Sequence, residues 1–549
     1  MSCLNTEPSI SSFGGLLIIK QLSSIHTFLN KLANPKPKIQ ETIIFPVLFL
    51  HTALGQITGL QPGSYTETSL PGGIFDVNDD GDTSDGVYWV NSLENLLWIA
   101  ENSFAWSDSY IYYQGEDIDM SPTKYWDDSD DNGNGNKYDD PEDGDDRGNN
   151  EGFPSIAYGT GGQFEGVYNG NYRRIISLTI NRPSATEPIG FFSKAAGSFT
   201  KAAKILKLGF VNGNVHGGNK QVGGVVGYVS SISRLTYIDE VFYEGTVQKS
   251  STDSEDVGGI IGEYVEGQVL SNSFFKGKII NTGSGDTGGI AGEMRSSLGF
   301  SNLFAKVEFH VDRTNLNRVG GLIGFSLPTN ESLQVENGYT VASVQNSKTT
   351  TTKMGGIVGS PSGSYPETSL YRDLYYEYST DVEENYTGYL GSSTTFTNVV
   401  SKTQNDLASV GALAFSGLNS STVWGQNDSF NEGYPYLKGW IDYGLSSSFI
   451  DESITTTSTV GTFTFIDGGN PSVNILAINL KSGELDNDDF VIQSSGSVYT
   501  IQLKKSATSK LATRTQFEVS TNLATNESPT RSMQNVFKFI VKDFNIFFI

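Results

Sequence analysis

Hydrophobic residues in this chain recur in short runs that glycine, asparagine or serine separates. Runs at residues 175–180, 237–243 and 271–275 are typical of β-strands bounded by turns. Residues 88–100 are the exception, because their apolar positions follow a helical period and Ser92 is a candidate N-cap. The pattern therefore predicts an almost entirely β-structured protein with one short helix near the start of the array.

A five-residue glycine motif, two glycines followed by two apolar residues and a glycine, occurs five times. Its glycines are Gly223, Gly224, Gly227, Gly258, Gly259, Gly262, Gly288, Gly289, Gly292, Gly320, Gly321, Gly324, Gly355, Gly356 and Gly359. Spacing of this order is the signature of a solenoid or propeller. The intervals are too short for four-stranded propeller blades, so they favour a wound parallel coil of about ten turns, with the helix as its cap.

The motif also has a steric interpretation. We expect its apolar pair to form one rung of an aliphatic stack, and its glycines to lie where a side chain would collide with the next coil. A phosphate-binding loop is excluded because no Gly-Lys-Ser/Thr sequence follows any copy and no dinucleotide-type helix is predicted after it.

The charge of the chain excludes nucleic acid as a partner. There are 61 acidic and 36 basic residues, and the net charge of −25 would repel a phosphate backbone. Divalent cations are the natural counter-ions. With a single cysteine, Cys3, and four histidines, the chain offers neither a disulfide framework nor a thiolate or His-rich metal site.

Two acidic stretches place oxygen-bearing side chains at alternate positions, as calcium loops do. The first consists of Asp76, Asn78, Asp80 and Asp82, and its twelfth position is Val87, which cannot close the loop. The second, within an Asp-rich insert at residues 127–150, consists of Asp128, Asp130, Asn132 and Asn134, and its twelfth position is Asp139. We expect structural calcium, with a solvated acidic turn and a disordered acidic insert as the alternatives.

The N-terminal region has the order of a secretory signal. Lys36 and Lys38 precede an apolar run at residues 43–50, and the small residues Ala53 and Gly55 follow it. The run is too short to cross a bilayer, so we expect export with no transmembrane helix; a buried strand is the alternative. A start codon assigned too early would explain the long lead before it.

Residues beyond 446 change to strict alternation of apolar and polar positions, at residues 460–467, 489–492, 498–503 and 515–519. This alternation predicts a small β-sandwich at 446–525. We expect an N-terminal lead and signal-like segment at 1–55, an acidic loop region at 56–87, a parallel β-helix solenoid at 88–440, the sandwich, and a tail at 526–549 that resembles a truncated end. Residues 423–437 are expected to form the last coil.

The five glycine motifs, with residues 117–120 before them and residues 431–437 after, resemble the GLUG-motif proteins of bacterial cell surfaces. The resemblance covers residues 88–440 and implies a right-handed parallel β-helix, associated with the surface or outer membrane, whose repeats have no catalytic activity. Residues 446–525 look like a cadherin-like domain. That resemblance implies Glu452 and Asp467 as calcium ligands, although Gly468 replaces the expected second aspartate and residues 512–514 replace the later acidic motif.

These observations lead to a functional expectation. We expect a secreted or cell-surface adhesion and interaction protein that calcium stabilises and that has no enzymatic activity. Surface glycans or proteins would dock on exposed Tyr, Asn and Thr ladders, and the chain could self-associate. The alternatives are a β-helix polysaccharide lyase or hydrolase and a non-catalytic accessory region of a surface peptidase. The acid and base candidates, Asp239 with Glu240, Asp253 with Glu255, and His310 with Asp312, are interpreted as solvated surface.

Overall fold

The fold comes from a computed structural model. It describes residues 72–75, 87–126, 150–159, 161–230, 235–250, 254–265, 269–295, 299–311, 318–328, 332–345, 354–361, 368–377, 394–408, 416–418, 423–426, 433–445, 449–451, 453–467, 475–480, 485–495, 498–511, 516–525 and 532–542. These residues all belong to one compact unit, Pro62–Ile549. The signal-like segment, both predicted calcium loops and Glu452 lie outside them; Asp467 ends a strand, but its side chain is not described.

The described residues up to 440 form two short α-helices and strands that pair in parallel, except for two antiparallel pairs. The strands are β1 (Gly72–Phe75), β2 (Val87–Val90), β3 (Ile111–Gln114), β4 (Ile118–Asp119), β5 (Val167–Ile176), β6 (Thr179–Asn181), β7 (Phe192–Ala195), β8 (Ala203–Gly217), β9 (Val222–Gly223), β10 (Val226–Val229), β11 (Thr236–Asp239), β12 (Phe242–Lys249), β13 (Val257–Gly258), β14 (Ile261–Tyr264), β15 (Val269–Asn281), β16 (Thr287–Gly288), β17 (Ala291–Met294), β18 (Gly299–Val311), β19 (Val319–Gly320), β20 (Ile323–Ser326), β21 (Leu333–Gln345), β22 (Met354–Gly355), β23 (Val358–Pro361), β24 (Ser369–Glu377), β25 (Thr394–Lys402), β26 (Trp424–Gly425) and β27 (Tyr436–Leu437). The antiparallel pairs are β1 with β2 and β26 with β27. The α-helices are α1 (Leu93–Glu101) and α2 (Gln404–Leu407), and 3-10 helices span Ser103–Trp106 and Ser121–Tyr125.

Most of these strands belong to a parallel β-solenoid of about five complete turns, and three sheets form its faces. Sheet 1 runs in the order β2-β3-β5-β8-β11-β15-β18-β21-β24-β25, sheet 2 in the order β7-β10-β14-β17-β20-β23, and sheet 3 in the order β9-β13-β16-β19-β22. The predicted parallel solenoid is confirmed. The expected ten turns are wrong, because only about five turns carry all three strands while sheet 1 continues beyond them at both ends.

The glycine motif forms the corner between sheets 3 and 2 in each turn. Its first glycine ends a sheet 3 strand, and its second apolar residue begins a sheet 2 strand, as in β13 and β14. Both apolar residues are fully buried in every copy, as Ile260 and Ile261 are. Backbone hydrogen bonds join the corners of successive turns, for example from the Ile260 amide to the Ile290 carbonyl at 3.0 Å. The aliphatic rung predicted from the sequence is therefore confirmed.

The glycines of the motif are required by close approach of neighbouring turns. A Cβ added at Gly224 would lie 2.5 Å from the carbonyl oxygen of Gly259 in the next turn. One added at Gly262 would lie 2.5 Å from the carbonyl oxygen of Gly227 in the preceding turn. These obstacles are backbone atoms, so no side-chain movement can relieve them. The predicted collision with an adjacent coil is confirmed.

Sheet 1 bends along a column of residues in the left-handed conformation. Asn272, Asn302 and Asn337, with φ of 48°, 58° and 59°, occupy this column in successive strands. Asparagine tolerates this conformation better than most residues. The Asn302 side-chain amide donates to Asn272 Oδ1 at 3.0 Å, and that of Asn337 donates to Asn302 Oδ1 at 3.3 Å. An asparagine ladder thus fixes the bend through several turns.

Helix α1 closes the core of the first turns. Ser92 is its N-cap, as predicted, and its hydroxyl accepts a hydrogen bond from the Asn95 amide at 3.3 Å. The helix buries Leu93, Leu96, Leu97, Ile99 and Ala100 against the solenoid core. This placement covers apolar residues that would otherwise face water at the end of the stack.

The described residues between 404 and 440, which we call the C-terminal strap, cover part of the outer face of sheet 1. Five stacked aromatic residues of that face, Phe242, Phe274, Phe304, Tyr339 and Tyr375, form one buried cluster with strap residues. The Tyr339 hydroxyl donates a hydrogen bond to the Leu407 carbonyl of the strap. The strap ends at Trp440, whose ring centroid is 5.0 Å from that of Phe242. The expectation that residues 423–437 form a last coil is wrong for the described part of this segment: β26 and β27 pair with each other outside the three solenoid sheets, and Trp424, Tyr434 and Leu437 pack in the aromatic cluster.

The C-terminal module is built from two four-stranded sheets. Its strands are β28 (Ile441–Leu445), β29 (Phe449–Asp451), β30 (Ser458–Asp467), β31 (Ile475–Leu480), β32 (Phe490–Ser495), β33 (Val498–Leu503), β34 (Gln516–Thr525) and β35 (Ser532–Lys542), with 3-10 helices at Asn487–Asp489 and Lys505–Lys510. The sheets run β28-β30-β33-β32 and β29-β35-β34-β31. Residues from both, including Phe490 and Phe517, share one core. The small antiparallel sheets agree with the predicted sandwich class, and β35 extends the module past residue 525.

Candidate functional site

Four buried carboxylates gather beside the glycine corners of two adjacent turns. Asp256 and Asp286 directly precede β13 and β16, whereas Glu263 and Glu293 are register partners in β14 and β17. All four are less than one-tenth exposed. Because the turns stack in register, side chains 30 residues apart in sequence come together at one place on the solenoid.

Basic and amide side chains compensate part of this negative charge. The Arg318 guanidinium donates to both oxygens of Asp286, at 2.6 and 2.5 Å. Arg295 Nε lies 2.9 Å from Glu263 and 3.0 Å from Glu293, close enough for ion pairs, although its N–H does not point at either oxygen. Asp256 instead accepts a hydrogen bond from the Asp286 backbone amide at 2.9 Å.

Burial makes Asp256, Asp286 and Glu263 bind protons more tightly than ordinary carboxylates do. Burial, followed by the charge of Asp286, raises the pKa of Asp256 well above its ordinary value. Burial also raises the pKa of Asp286 to about 6, against the opposing effect of Arg318. The pKa of Glu263 is raised for the same reason, with Arg295 opposing. The hydrogen bond from the Asp286 amide opposes the rise at Asp256, whereas Arg318 and Arg295 oppose it at Asp286 and Glu263.

Three of these groups, Asp256, Asp286 and Glu293, each place a carboxylate oxygen within 4.8 Å of the others. Such oxygens suit a hard cation, but calcium requires six to eight of them. Both Asp286 oxygens are engaged by Arg318, and Glu293 is paired with Arg295. As arranged, these groups offer fewer uncommitted oxygens than a calcium ion requires.

The acid and base residues that were paired from the sequence have other partners in the structure. Asp239 accepts hydrogen bonds from Ser271 at 2.6 Å and Asn272 at 2.8 Å, which ties it to the sheet bend. His310 Nε2 lies 2.5 Å from Glu308, a partner that the sequence interpretation missed. Glu255 pairs with Lys220 at 3.1 Å. Asp253 and Asp312 lie outside the described residues.

The buried carboxylates were not predicted as site residues. The signal for them was present, since Asp256 and Asp286 each stand two positions before the first glycine of a motif, and Glu263 and Glu293 each directly follow the last. Aligning the flanks of the motif, rather than the motif alone, reveals both columns.

The expectation that a tyrosine ladder forms an exposed docking face is wrong for the outer face of sheet 1. Tyr339, Tyr375 and Tyr434 are each less than one-tenth exposed because the C-terminal strap and the outer face of sheet 1 bury one another. No helix within the described residues combines the length and apolar character that crossing a bilayer requires.

Comparisons with known proteins give limited similarity. No protein-family model matches the chain, and no curated protein matches it. Among solved structures, it is similar to a candidate immunoglobulin A1 protease from Bacteroides ovatus, with 17% identity and a TM-score of 0.41 over 64% of this chain and 92% of that one. It is also similar to a protocadherin gamma B3 fragment, with 16% identity and a TM-score of 0.15 over 19% of this chain and 24% of that one. These values assign no family.

Proposed function

We propose that this chain is a secreted or cell-surface adhesion and interaction protein, in which a rigid solenoid and a C-terminal sandwich present binding surfaces. The observation that carries the proposal is the presence of two β modules in series, each with its own buried core. Stacked turns give a stiff, extended surface of the kind that repeat proteins use for binding. We propose further that the solenoid is a right-handed GLUG-type β-helix and that the sandwich is cadherin-like.

The carboxylate cluster supports a structural rather than a catalytic role for the solenoid corner. General acid–base chemistry requires a carboxylate within hydrogen-bond reach of a substrate. Asp256 and Asp286 are each only 3% exposed, so a saccharide cannot approach them. A β-helix lyase or hydrolase is therefore the less favoured alternative, and the experiment described below tests for it.

Calcium is part of the proposed function through the acidic loops. Asp128, Asp130, Asn132, Asn134 and Asp139 would supply oxygen ligands to a weak extracellular-type site, with an affinity on the order of 10⁻⁴–10⁻³ M. Glu452 and Asp467 would contribute at the sandwich. Calcium there would neutralise part of the net charge of −25.

The test couples the full chain to beads and measures bead aggregation and capture on glycan and protein arrays, with calcium or with a chelator. Binding of a surface glycan or protein, or calcium-dependent aggregation, supports the proposal. Depolymerisation of any polysaccharide in a parallel panel would instead establish the enzymatic alternative.

Calorimetric calcium titration tests the second loop. The Asp130→Ala/Asn132→Ala variant should lose the heat of binding, whereas Asp119→Ala, at an exposed aspartate of the described chain, should keep it. Unchanged binding in the double variant would refute this calcium assignment.

A further inference from the structure

An open cleft of about 640 Å³ lies on the outer face of sheet 1. It crosses five neighbouring strands, from Gly245 in β12 to Glu377 in β24. At about 4.8 Å per strand, the cleft extends roughly 19 Å along the solenoid axis. Its length suits an extended ligand that lies across the strands.

Two outward-facing columns of side chains form its sides. In one, Lys276 of β15 is the register partner of Lys306 of β18; in the other, Lys278 is the partner of Glu308. The Lys306 ammonium lies 4.8 Å from the ring centroid of Tyr434 in the C-terminal strap, so the strap adjoins the cleft here. Three lysines thus meet within two adjacent strands of a chain whose net charge is −25.

Backbone forms the floor between the columns. Gly245 and Gly277 are register partners there, with φ of 154° and 153°. Neither has a side chain, and a Cβ added at Gly277 would meet the Gly245 carbonyl oxygen of the preceding turn. Their neighbours along the cleft, Val307 and Ala342, belong to the solenoid core, so the floor between the two columns is low.

We propose that this cleft binds an acidic oligosaccharide, one whose carboxylates are isolated among hydroxyl groups. The proposal rests on the proposed function and names the ligand class for it. Lys276, Lys278 and Lys306 would pair with a sugar carboxylate through charge-assisted hydrogen bonds. The hydroxyls of Thr246 and Ser343 and the carboxylate of Glu377, which line the ends of the cleft, would bond to sugar hydroxyls.

The mixed charge of the cleft selects this class over stronger polyanions. Glu308 lies 4.0 Å from Lys278, and Glu377 lies in the same column as the other two lysines. A nucleic acid or a heavily sulfated chain would bring its charges against these carboxylates. An isolated carboxylate can avoid them because a saccharide has uncharged hydroxyls at the flanking positions.

The test measures binding of a hyaluronan oligosaccharide, which has a carboxylate on every second sugar, to the full-length chain by calorimetry at low salt. The methyl-esterified hyaluronan oligosaccharide, heparin and inorganic phosphate serve as comparison probes. We expect the unesterified sugar to bind, esterification to weaken it at least tenfold, and added salt to weaken it further. Lys276→Gln/Lys306→Gln should reduce affinity at least tenfold, and Lys220→Gln, at a lysine paired with Glu255 away from the cleft, should leave it unchanged.

Three results would overturn the proposal: no binding of the hyaluronan oligosaccharide, equal binding of the esterified sugar, or undiminished affinity in a folded Lys276→Gln/Lys306→Gln variant. Stronger binding of heparin or phosphate would do the same, since it would indicate general anion attraction. Thermal unfolding of each variant confirms its folding. Bead aggregation and capture on protein arrays do not require this cleft, so failure here leaves the adhesion role standing, whereas failure there leaves the saccharide measurement interpretable.

Discussion

Replacing Asp256 by asparagine should stabilise the protein at neutral pH. The substitution removes a buried negative charge that faces Asp286, Glu293 and Glu263. It keeps the side-chain oxygen that accepts the Asp286 amide at 2.9 Å. The chain should therefore lose repulsion without losing the hydrogen bond that joins the two turns.

The size of the effect follows from proton linkage. Folding raises the pKa of Asp286 from 3.8 to about 6, and that of Asp256 in the same direction. The folded chain thus binds more protons than the unfolded chain, so stability is full below pH 3.8 and is lost as pH rises through about 6. For Asp286 alone this loss is about 3 kcal/mol, at 1.36 kcal/mol for each tenfold change. Asp256→Asn should recover about 1–3 kcal/mol at pH 7.5 and nothing at pH 3.5.

Hydrogen exchange detected by mass spectrometry measures this gain in stability locally. The peptides compared span residues 254–264 and 286–295, between pH 4.5 and 7.5, after correction for intrinsic exchange. Asp119→Asn is the matched control, because Asp119 also accepts one backbone amide, that of Ser121 at 2.8 Å, but is exposed. Protection in Asp256→Asn that is lower than in the wild type at pH 7.5, or that falls equally steeply with pH, would refute the reasoning.

Three further substitutions test the packing of the solenoid. Gly224→Ala should destabilise by about 3 kcal/mol or more, since its Cβ would meet the Gly259 carbonyl; a denaturation midpoint equal to wild type contradicts this. Asn302→Ala should lower the free energy of unfolding by about 2 kcal/mol, because it loses the ladder hydrogen bonds and places alanine at a positive φ. Asn302→Gly should lower it less, and urea unfolding compares the two variants. Trp440→Ala should expose the strap to limited proteolysis by removing its contact with Phe242, a cost of about 3–5 kcal/mol; unchanged cleavage argues against a packed strap.

The repeat could be read from sequence because every turn repeats the same local requirement. In the first four copies of the glycine motif the second glycine faces the carbonyl oxygen of the next copy's second glycine, as Gly224 faces Gly259, whereas Gly356 of the last copy faces the Tyr376 ring. Helix α1 was predictable for a similar reason, since its cap and apolar period are local.

The strap and the carboxylate cluster were harder to predict because their contacts connect distant residues. Trp440 packs on Tyr172 with ring centroids 5.1 Å apart, across most of the solenoid sequence, and no periodicity records that pairing. Asp256 and Asp286 look like solvated surface until the turns are stacked, when both prove buried. Sequence pattern identifies a turn, whereas stacking decides which polar residues lose their water.

The glycine corners also bear on how the gene can change. A single residue inserted in a turn would displace its glycines from the carbonyls above and below, so the defect would affect two neighbouring turns. A whole turn of 30–35 residues, gained or lost by unequal recombination, would present the same corner to both neighbours. The length of the solenoid can therefore evolve in steps of about 4.8 Å by duplication, while point changes at a corner glycine are expected to destabilise it.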